Sequence, residues 1–167
     1  MPTTKNIFKK ILIWRYKHIS ERQFIYILSI LVGCLAGFGA VILKNVTHFF
    51  QHLLEGNVVR DYHHAFYFLF PIIGLTIVYF VIKYVIRNKV SHGIPSTLFA
   101  ISKRKGIMKR YQMFASILTA PITVGFGGSV GLEGPTVATG AAISSNIARW
   151  FHLNQTTRTL LIGCAAA

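Results

Sequence analysis

An uncharged apolar run of twenty residues, from Phe24 to Leu43, restricts the possible folds of this chain more than any other feature. A run of this length matches the roughly 20 residues that a helix needs to cross a bilayer core about 30 Å thick. A second apolar run extends from Ala65 to Ile86, and Lys83 near its end can extend its ammonium toward the headgroups. Because 53% of the chain is hydrophobic, the sequence predicts an all-α, polytopic membrane protein.

A third apolar region, from Tyr111 to Ala148, is interrupted by helix-breaking residues. It contains Pro121, Pro135 and six glycines between Gly125 and Gly140. We expect two broken helices that meet inside the protein, because irregular backbone at membrane depth survives only where protein or water covers it.

The basic residues that give the net charge of +14 are concentrated on either side of the two long runs. The connection from Lys44 to His64 contains only two lysines or arginines, and Glu55 and Asp61 oppose them. By the positive-inside rule, the N-terminus and residues 87–110 are predicted to be cytoplasmic. This distribution reflects topology and does not favour nucleic-acid binding as the main role. The two basic groups are Lys5, Lys9, Lys10, Arg15, Lys17 and Arg22, and then Arg87, Lys89, Lys103, Arg104, Lys105, Lys109 and Arg110.

Two structural regions follow from this pattern. Residues 1–22 mix apolar and basic side chains and are predicted to form a cytoplasmic helix in the headgroup plane, whereas residues 23–167 form the transmembrane domain. His48 and His52 share a helix face, but no cysteine or carboxylate accompanies them at a recognised ligand spacing, so no metal site is predicted.

Glu133 is the one charged residue between Tyr111 and Ala148. Ionisable residues at membrane depth usually mark an ion or proton pathway. Pro135 suits the first turn of a helix, predicted over 135–149, and helix N-termini bind anions through their unpaired N–H groups. The carboxylate of Glu133 can therefore occupy an anion position, or it can stabilise the helix N-terminus as a structural cap.

A second helix start is predicted between Ser91 and Ser102, where a glycine and a proline precede a short apolar segment. This start is approached from the cytoplasmic side and the start near Glu133 from the other side. Two half-helices aimed at the midplane are the arrangement by which broken helices bind anions in transporters.

Both segments resemble signature motifs of the CLC family of chloride channels and chloride/proton antiporters. Ser91-His92-Gly93-Ile94-Pro95 is similar to the family's Gly-Ser-Gly-Ile-Pro, and Gly131-Leu132-Glu133-Gly134-Pro135 is similar to its Gly-Arg-Glu-Gly-Pro. The order of the motifs, the two preceding runs and the tail 159–167 resemble the first half of the family's fold.

The resemblance implies an inverted-repeat fold with broken half-helices, of which residues 23–167 would be an incomplete first repeat. It implies a homodimer in the plasma (inner) membrane that transports chloride, with protons in the antiporters, and needs no cofactor beyond the bound ion. Glu133 falls at the gating position, the backbone of Gly131 to Gly134 at the outer anion site, and that of His92 to Ile94 at the central site.

Two departures from the motifs affect this expectation. His92 replaces a serine whose hydroxyl helps to coordinate the central anion, and Leu132 replaces an arginine beside the gate. The histidine can donate an N–H to an anion or bond to nearby backbone, while loss of the arginine should weaken anion retention.

Alternative functions stay open at this stage. The parent protein can be a channel or an antiporter, and the chain can also be a helix-packing subunit or a relic without an ion site. An enzyme with Glu133 as general base has little support, because no Ser-His pair, Walker lysine or zinc motif accompanies it.

Overall fold

The computed structural model describes residues 20–57, 69–88 and 93–166, and throughout these ranges the secondary structure is helical, without a strand. The all-α prediction is therefore confirmed. The predicted interfacial helix lies outside the described residues except for its last three positions. The described elements are α1 Glu21–Asn57, α2 Leu69–Phe80 with a π-helical continuation Val81–Ile86, α3 Gly93–Lys103, α4 Gln112–Gly125, α5 Glu133–Trp150 and α6 Gln155–Ala166.

Helix α1 contains the first predicted span and extends beyond it at both ends. Its 37 residues correspond to roughly 55 Å of helix, which exceeds the thickness of a bilayer core. Large apolar side chains on its outer surface, among them Ile30 and Phe38, are about two-thirds exposed. Such a surface is unfavourable in water and is expected of a helix that faces lipid.

Helix α2 ends as predicted at Ile86, but its last turns are π-helical. Arg87 then adopts a left-handed conformation with φ of 52°, and its N–H donates to the carbonyl of Ile82. The Nζ of Lys83 lies 5.5 Å from the ring centre of Tyr79 and 5.8 Å from that of Tyr84. The lysine therefore lies against aromatic rings near the end of the helix, a position typical of the membrane interface.

The break in the third apolar region lies between α4 and α5, at residues 126–132. Gly127 has a φ of +82°, and the N–H of Gly128 donates to the carbonyl of Thr123, so the chain turns sharply there. Two details of the prediction are corrected. Pro121 lies inside α4 without ending it, and α5 begins at Glu133, two residues before the predicted start at Pro135.

Helix α5 is the centre of the fold and contacts α1, α3, α4 and α6. The side chains buried along it are small, and they allow neighbouring helices to approach closely. Gly140 marks the tightest approach, since a Cβ added there would lie 2.2 Å from the carbonyl oxygen of Ala165 in α6. Two clusters of buried apolar residues surround α5, one with α1 and α6 and the other with α3 and α6.

The connection between α3 and α4 is fixed to the centre by buried polar contacts. The Ser145 hydroxyl of α5 donates to the carbonyl of Gly106 at 2.6 Å and accepts the N–H of Met108 at 2.9 Å. Arg158 of α6 donates to the carbonyl of Lys105 at 3.1 Å and to that of Leu153 at 3.1 Å. These bonds hold the C-terminal end of α3 against α5 and α6.

Candidate functional site

The N-termini of α3 and α5 lie next to each other. A Cβ built on Gly134, the second residue of α5, would lie 3.6 Å from the Cα of Gly93, the first residue of α3. Gly93 has a φ of +80°, a left-handed conformation that favours glycine at this close approach. The two helix starts expected from the sequence are therefore neighbours, although they are separated by 40 residues in the chain.

Both helices begin with the same local chemistry. Each has a proline as its third residue, Pro95 in α3 and Pro135 in α5. The first four N–H groups of a helix have no intrahelical acceptor, so a proline in this turn sacrifices no bond. The remaining N–H groups and the positive dipole ends of the two helices therefore lie close together, an arrangement that favours an anion.

Glu133 is the first residue of α5, and its side chain is exposed within the described part of the chain. Its N-cap, Leu132, makes no side-chain cap, but its carbonyl accepts both the N–H and the hydroxyl of Thr136. The N-cap position thus supplies no side-chain hydrogen bond to the N-terminal N–H groups of α5. A structural contribution of the Glu133 carboxylate to α5 therefore comes from its charge near the dipole, without a capping hydrogen bond.

Glu133 also lines a cavity of about 360 Å³ between α1, α5 and α6. It is the only carboxylate among the lining residues. The rest of the wall is made mostly of small side chains: Gly33, Ala36, Gly37, Ala40, Thr136, Val137, Cys164, Ala165 and Ala166. The site thus combines an acidic side chain, two helix N-termini and adjacent open space.

The small residues of α1 belong to the site, although sequence reasoning did not assign them to it. Gly33 and Gly37 form a small-xxx-small pair, a pattern that usually marks close helix packing. A Cβ added at either glycine would meet no atom within 4 Å, so this pair faces the cavity, while the close contact of α1 with α5 lies at Gly39 and Ala36. The pair can be recognised in the sequence, but the sequence does not show that it faces a cavity instead of packing against another helix.

The structure leaves part of the first motif undescribed. Ser91 and His92 lie outside the described residues, whereas Ile94 is half exposed and Pro95 lies in the first turn of α3. Two residues that follow the motif, Ser96 and Thr97, are buried, and the Ser96 hydroxyl donates to the carbonyl of Gly93 at 2.9 Å. Within the described ranges, no group of three or more His, Cys, Asp or Glu residues is placed to hold a metal ion.

In the second motif every residue is described. Gly131 is exposed, Leu132 and Gly134 are half buried, and Pro135 is buried. A Cβ added at Gly131 would meet no atom within 4 Å, so the described residues leave the approach to α5 open on this side.

Two described helices, Glu21–His52 of α1 and Leu69–Ile86, are long and apolar enough to cross a membrane. Comparison with known proteins gives one family match. The model of the family described as voltage gated chloride channel matches residues 73–167, which is more than half of the chain and includes both motifs. No curated protein and no solved structure matches the chain. The helical fold and the family match together identify an integral membrane protein, and the chain belongs to the voltage-gated chloride channel family.

Proposed function

We propose that this chain forms part of a chloride pathway in which the carboxylate of Glu133 competes with the permeating anion. The observation that carries the proposal is the meeting of the α3 and α5 N-termini at Gly93 and Gly134, with Glu133 as the first residue of α5. Family membership supports ion transport and disfavours an enzyme. Chloride is the transported ion, and no further cofactor is required.

The anion position is created by backbone. Converging N–H groups and helix dipoles favour a negative charge without a basic side chain, as in the broken helices of transporters. In this proposal the backbone of Gly131 to Gly134 contacts an outer anion and that of His92 to Ile94 a central one, with Ser91 and Pro95 as the other residues of the first anion-binding motif.

Glu133 provides the gate. When it is ionised, its carboxylate occupies the position that the two N-termini favour, and chloride is excluded by like charge. When it is protonated, this attraction is lost and the side chain can leave toward the cavity bounded by Gly33 and Gly37. Since protonation opens the site, chloride flux should rise as the pH falls.

The proposed setting is the plasma membrane, with the N-terminus and residues 87–110 in the cytoplasm and a homodimer as the assembly. Proton exchange accompanies chloride only if the protein is an antiporter. Leu132, where the family has arginine, reduces positive charge near the outer site and should lower its retention of chloride.

The experiment compares Glu133→Gln with the wild type, both purified and reconstituted in liposomes. Uptake of isotopic chloride is measured while the external pH is lowered from about 7.5 to about 4.5, where glutamate side chains begin to protonate. Wild-type flux should increase on acidification, whereas the variant should be permanently open and insensitive to pH.

Glu21→Gln is the matched control, because Glu21 is also the first residue of its helix but lies outside the site. Its flux should keep the wild-type pH dependence. Retention of that dependence in Glu133→Gln would refute gating by Glu133. Absence of chloride flux from the wild type at every pH would refute transport and favour a helix-packing role.

A further inference from the structure

A second cavity, separate from the one that contains Glu133, lies between the end of α2, one face of α3 and the start of α4. Its volume is about 530 Å³. Ser96, Phe99 and Ala100 line it from α3 at helical spacing, and Arg104 lines it directly after the helix ends, so the cavity follows α3 toward its C-terminal end. Lys109 and Gln112 close the opposite wall.

The charge of this cavity is unbalanced. Arg104 and Lys109 both line it, and no aspartate or glutamate is among the lining residues. The guanidinium carbon of Arg104 lies 5.4 Å from the ring centre of Phe99, and the Nζ of Lys109 lies 5.9 Å from that of Tyr111. The two cations therefore rest on aromatic rings on the cavity wall, and an anionic ligand would supply the missing counter-charge.

The cavity is lined by both polar and apolar groups. Gln112 is held in place because its Oε1 accepts the N–H of Lys109 at 3.0 Å, and it lines the cavity together with the two cations. Phe99 and Ile107, which are 53% and 41% exposed, provide an apolar wall beside them. A bare halide would use neither the volume nor the apolar wall, whereas an amphipathic anion would use both.

We propose that this cavity binds the phosphate headgroup of an anionic phospholipid. The phosphate would contact Arg104 and Lys109, and an acyl chain would lie along Phe99 and Ile107. The position at the ends of α2 and α3 suits this ligand, because basic pockets between helices on the cytoplasmic side of a membrane bind anionic headgroups. The proposal does not depend on chloride transport or on Glu133.

The test measures lipid binding to the purified full chain by native mass spectrometry in a neutral detergent. Phosphatidylglycerol is titrated against wild type and the double variant Arg104→Gln/Lys109→Gln, with phosphatidylcholine as the uncharged reference lipid. We expect affinity for phosphatidylglycerol to fall about fivefold for each cation removed, the usual effect of one basic residue near an anionic surface. Affinity for phosphatidylcholine should be unchanged.

The matched control is Lys103→Gln/Lys105→Gln, which removes two exposed charges from the same segment but none from the cavity wall. Its affinity should stay within about twofold of the wild type. An equal loss in this control would overturn the proposal, since diffuse surface charge would then explain binding. Displacement of the lipid by inorganic phosphate at equal concentration would also overturn it and would indicate a site for free phosphate.

Discussion

Ser145 is the residue that connects the centre of the bundle to the loop between α3 and α4. Its hydroxyl is fully buried and bonds two backbone groups of that loop, the carbonyl of Gly106 and the N–H of Met108. Neither group is within a regular helix, so no helical partner replaces Ser145 when its hydroxyl is removed. A buried backbone group without a partner costs about 1–3 kcal/mol.

Ser145→Ala should therefore lower the free energy of unfolding by about 1–3 kcal/mol, because both loop groups lose their partner. Thermal unfolding in detergent micelles measures the effect. Ser144→Ala is the control, since the neighbouring hydroxyl is equally buried but bonds only the carbonyl of Ala141 within α5. Equal destabilisation by the two substitutions would show that the hydrogen bonds from Ser145 to the loop contribute no more to stability than the bond of Ser144 within α5.

At the same scale, the sequence identified Glu133 but could not predict its surroundings. A single charge in an apolar region is visible without any knowledge of the fold. The cavity beside it depends on Gly33 and Gly37 of α1 and on Ala165 of α6, which meet only through tertiary packing. A local pattern such as small-xxx-small identifies a surface suited to packing, but it does not say whether another helix covers that surface.

At the scale of elements, the contact between α5 and α6 is set by Gly140. A Cβ there would come within 2.2 Å of the Ala165 carbonyl oxygen and 3.3 Å of the Ala36 Cβ. The first of these atoms is backbone, so relief requires a shift of a whole helix. Because Ala165 also lines the Glu133 cavity, this contact determines how closely α6 approaches the site.

Gly140→Ala should destabilise the protein by about 1–3 kcal/mol, since overpacking a close helix contact outweighs the gain in helix propensity. Chemical denaturation of the purified chain measures the change. Gly163→Ala is the matched control, because Gly163 lies inside α6 with no atom within 4 Å of an added Cβ. The Gly163→Ala substitution should leave the free energy of unfolding unchanged or raise it by up to about 1 kcal/mol. If Gly140→Ala is as stable as Gly163→Ala, then α5 and α6 do not approach each other as closely as described at Gly140.

Helix existence was easier to predict than helix ends. The long apolar runs predicted the cores of α1 and α2, and the glycines at 125–131 predicted a break before α5. Contrary to expectation, Pro121 does not break α4, since it forfeits only one bond inside a covered helix. Pro135 lies in the first turn of α5, as expected, where it forfeits no bond. The hydropathy pattern did not predict that the end of α2 is π-helical.

At the scale of the whole molecule, basic residues collect at one end of the bundle. Phe24 and Phe151 stack edge to face there with ring centres 5.6 Å apart, which joins the start of α1 to the end of α5. At the same end, Arg158 near the start of α6 donates a hydrogen bond to the loop that contains Lys105. Arg104, next to Lys105, lines a cavity together with Asn88 at the end of α2. The loop at residues 126–132, at the other end of α4, has no formal charge. The asymmetry agrees with a cytoplasmic basic end.

Cysteine labelling tests this orientation in intact cells and in inside-out vesicles. Cys34 and Cys164 are exposed and are first replaced by alanine to remove their background reactivity. In that chain, Lys109→Cys should react with a membrane-impermeant maleimide only in inside-out vesicles if the basic end faces the cytoplasm as proposed.

Ser129→Cys is the counterpart, since Ser129 lies in the uncharged loop at the far end of α4. It should react only in intact cells, where the reagent reaches the outer face. The two positions lie at opposite ends of α4, whose 14 residues correspond to roughly 21 Å of helix. Opposite labelling of the two cysteines would therefore show that the two ends of α4 are reached from opposite faces of the membrane. Labelling of Lys109→Cys from outside the cell would show that the topology is the reverse of the proposed one. Protons would then reach Glu133 from the opposite face of the membrane.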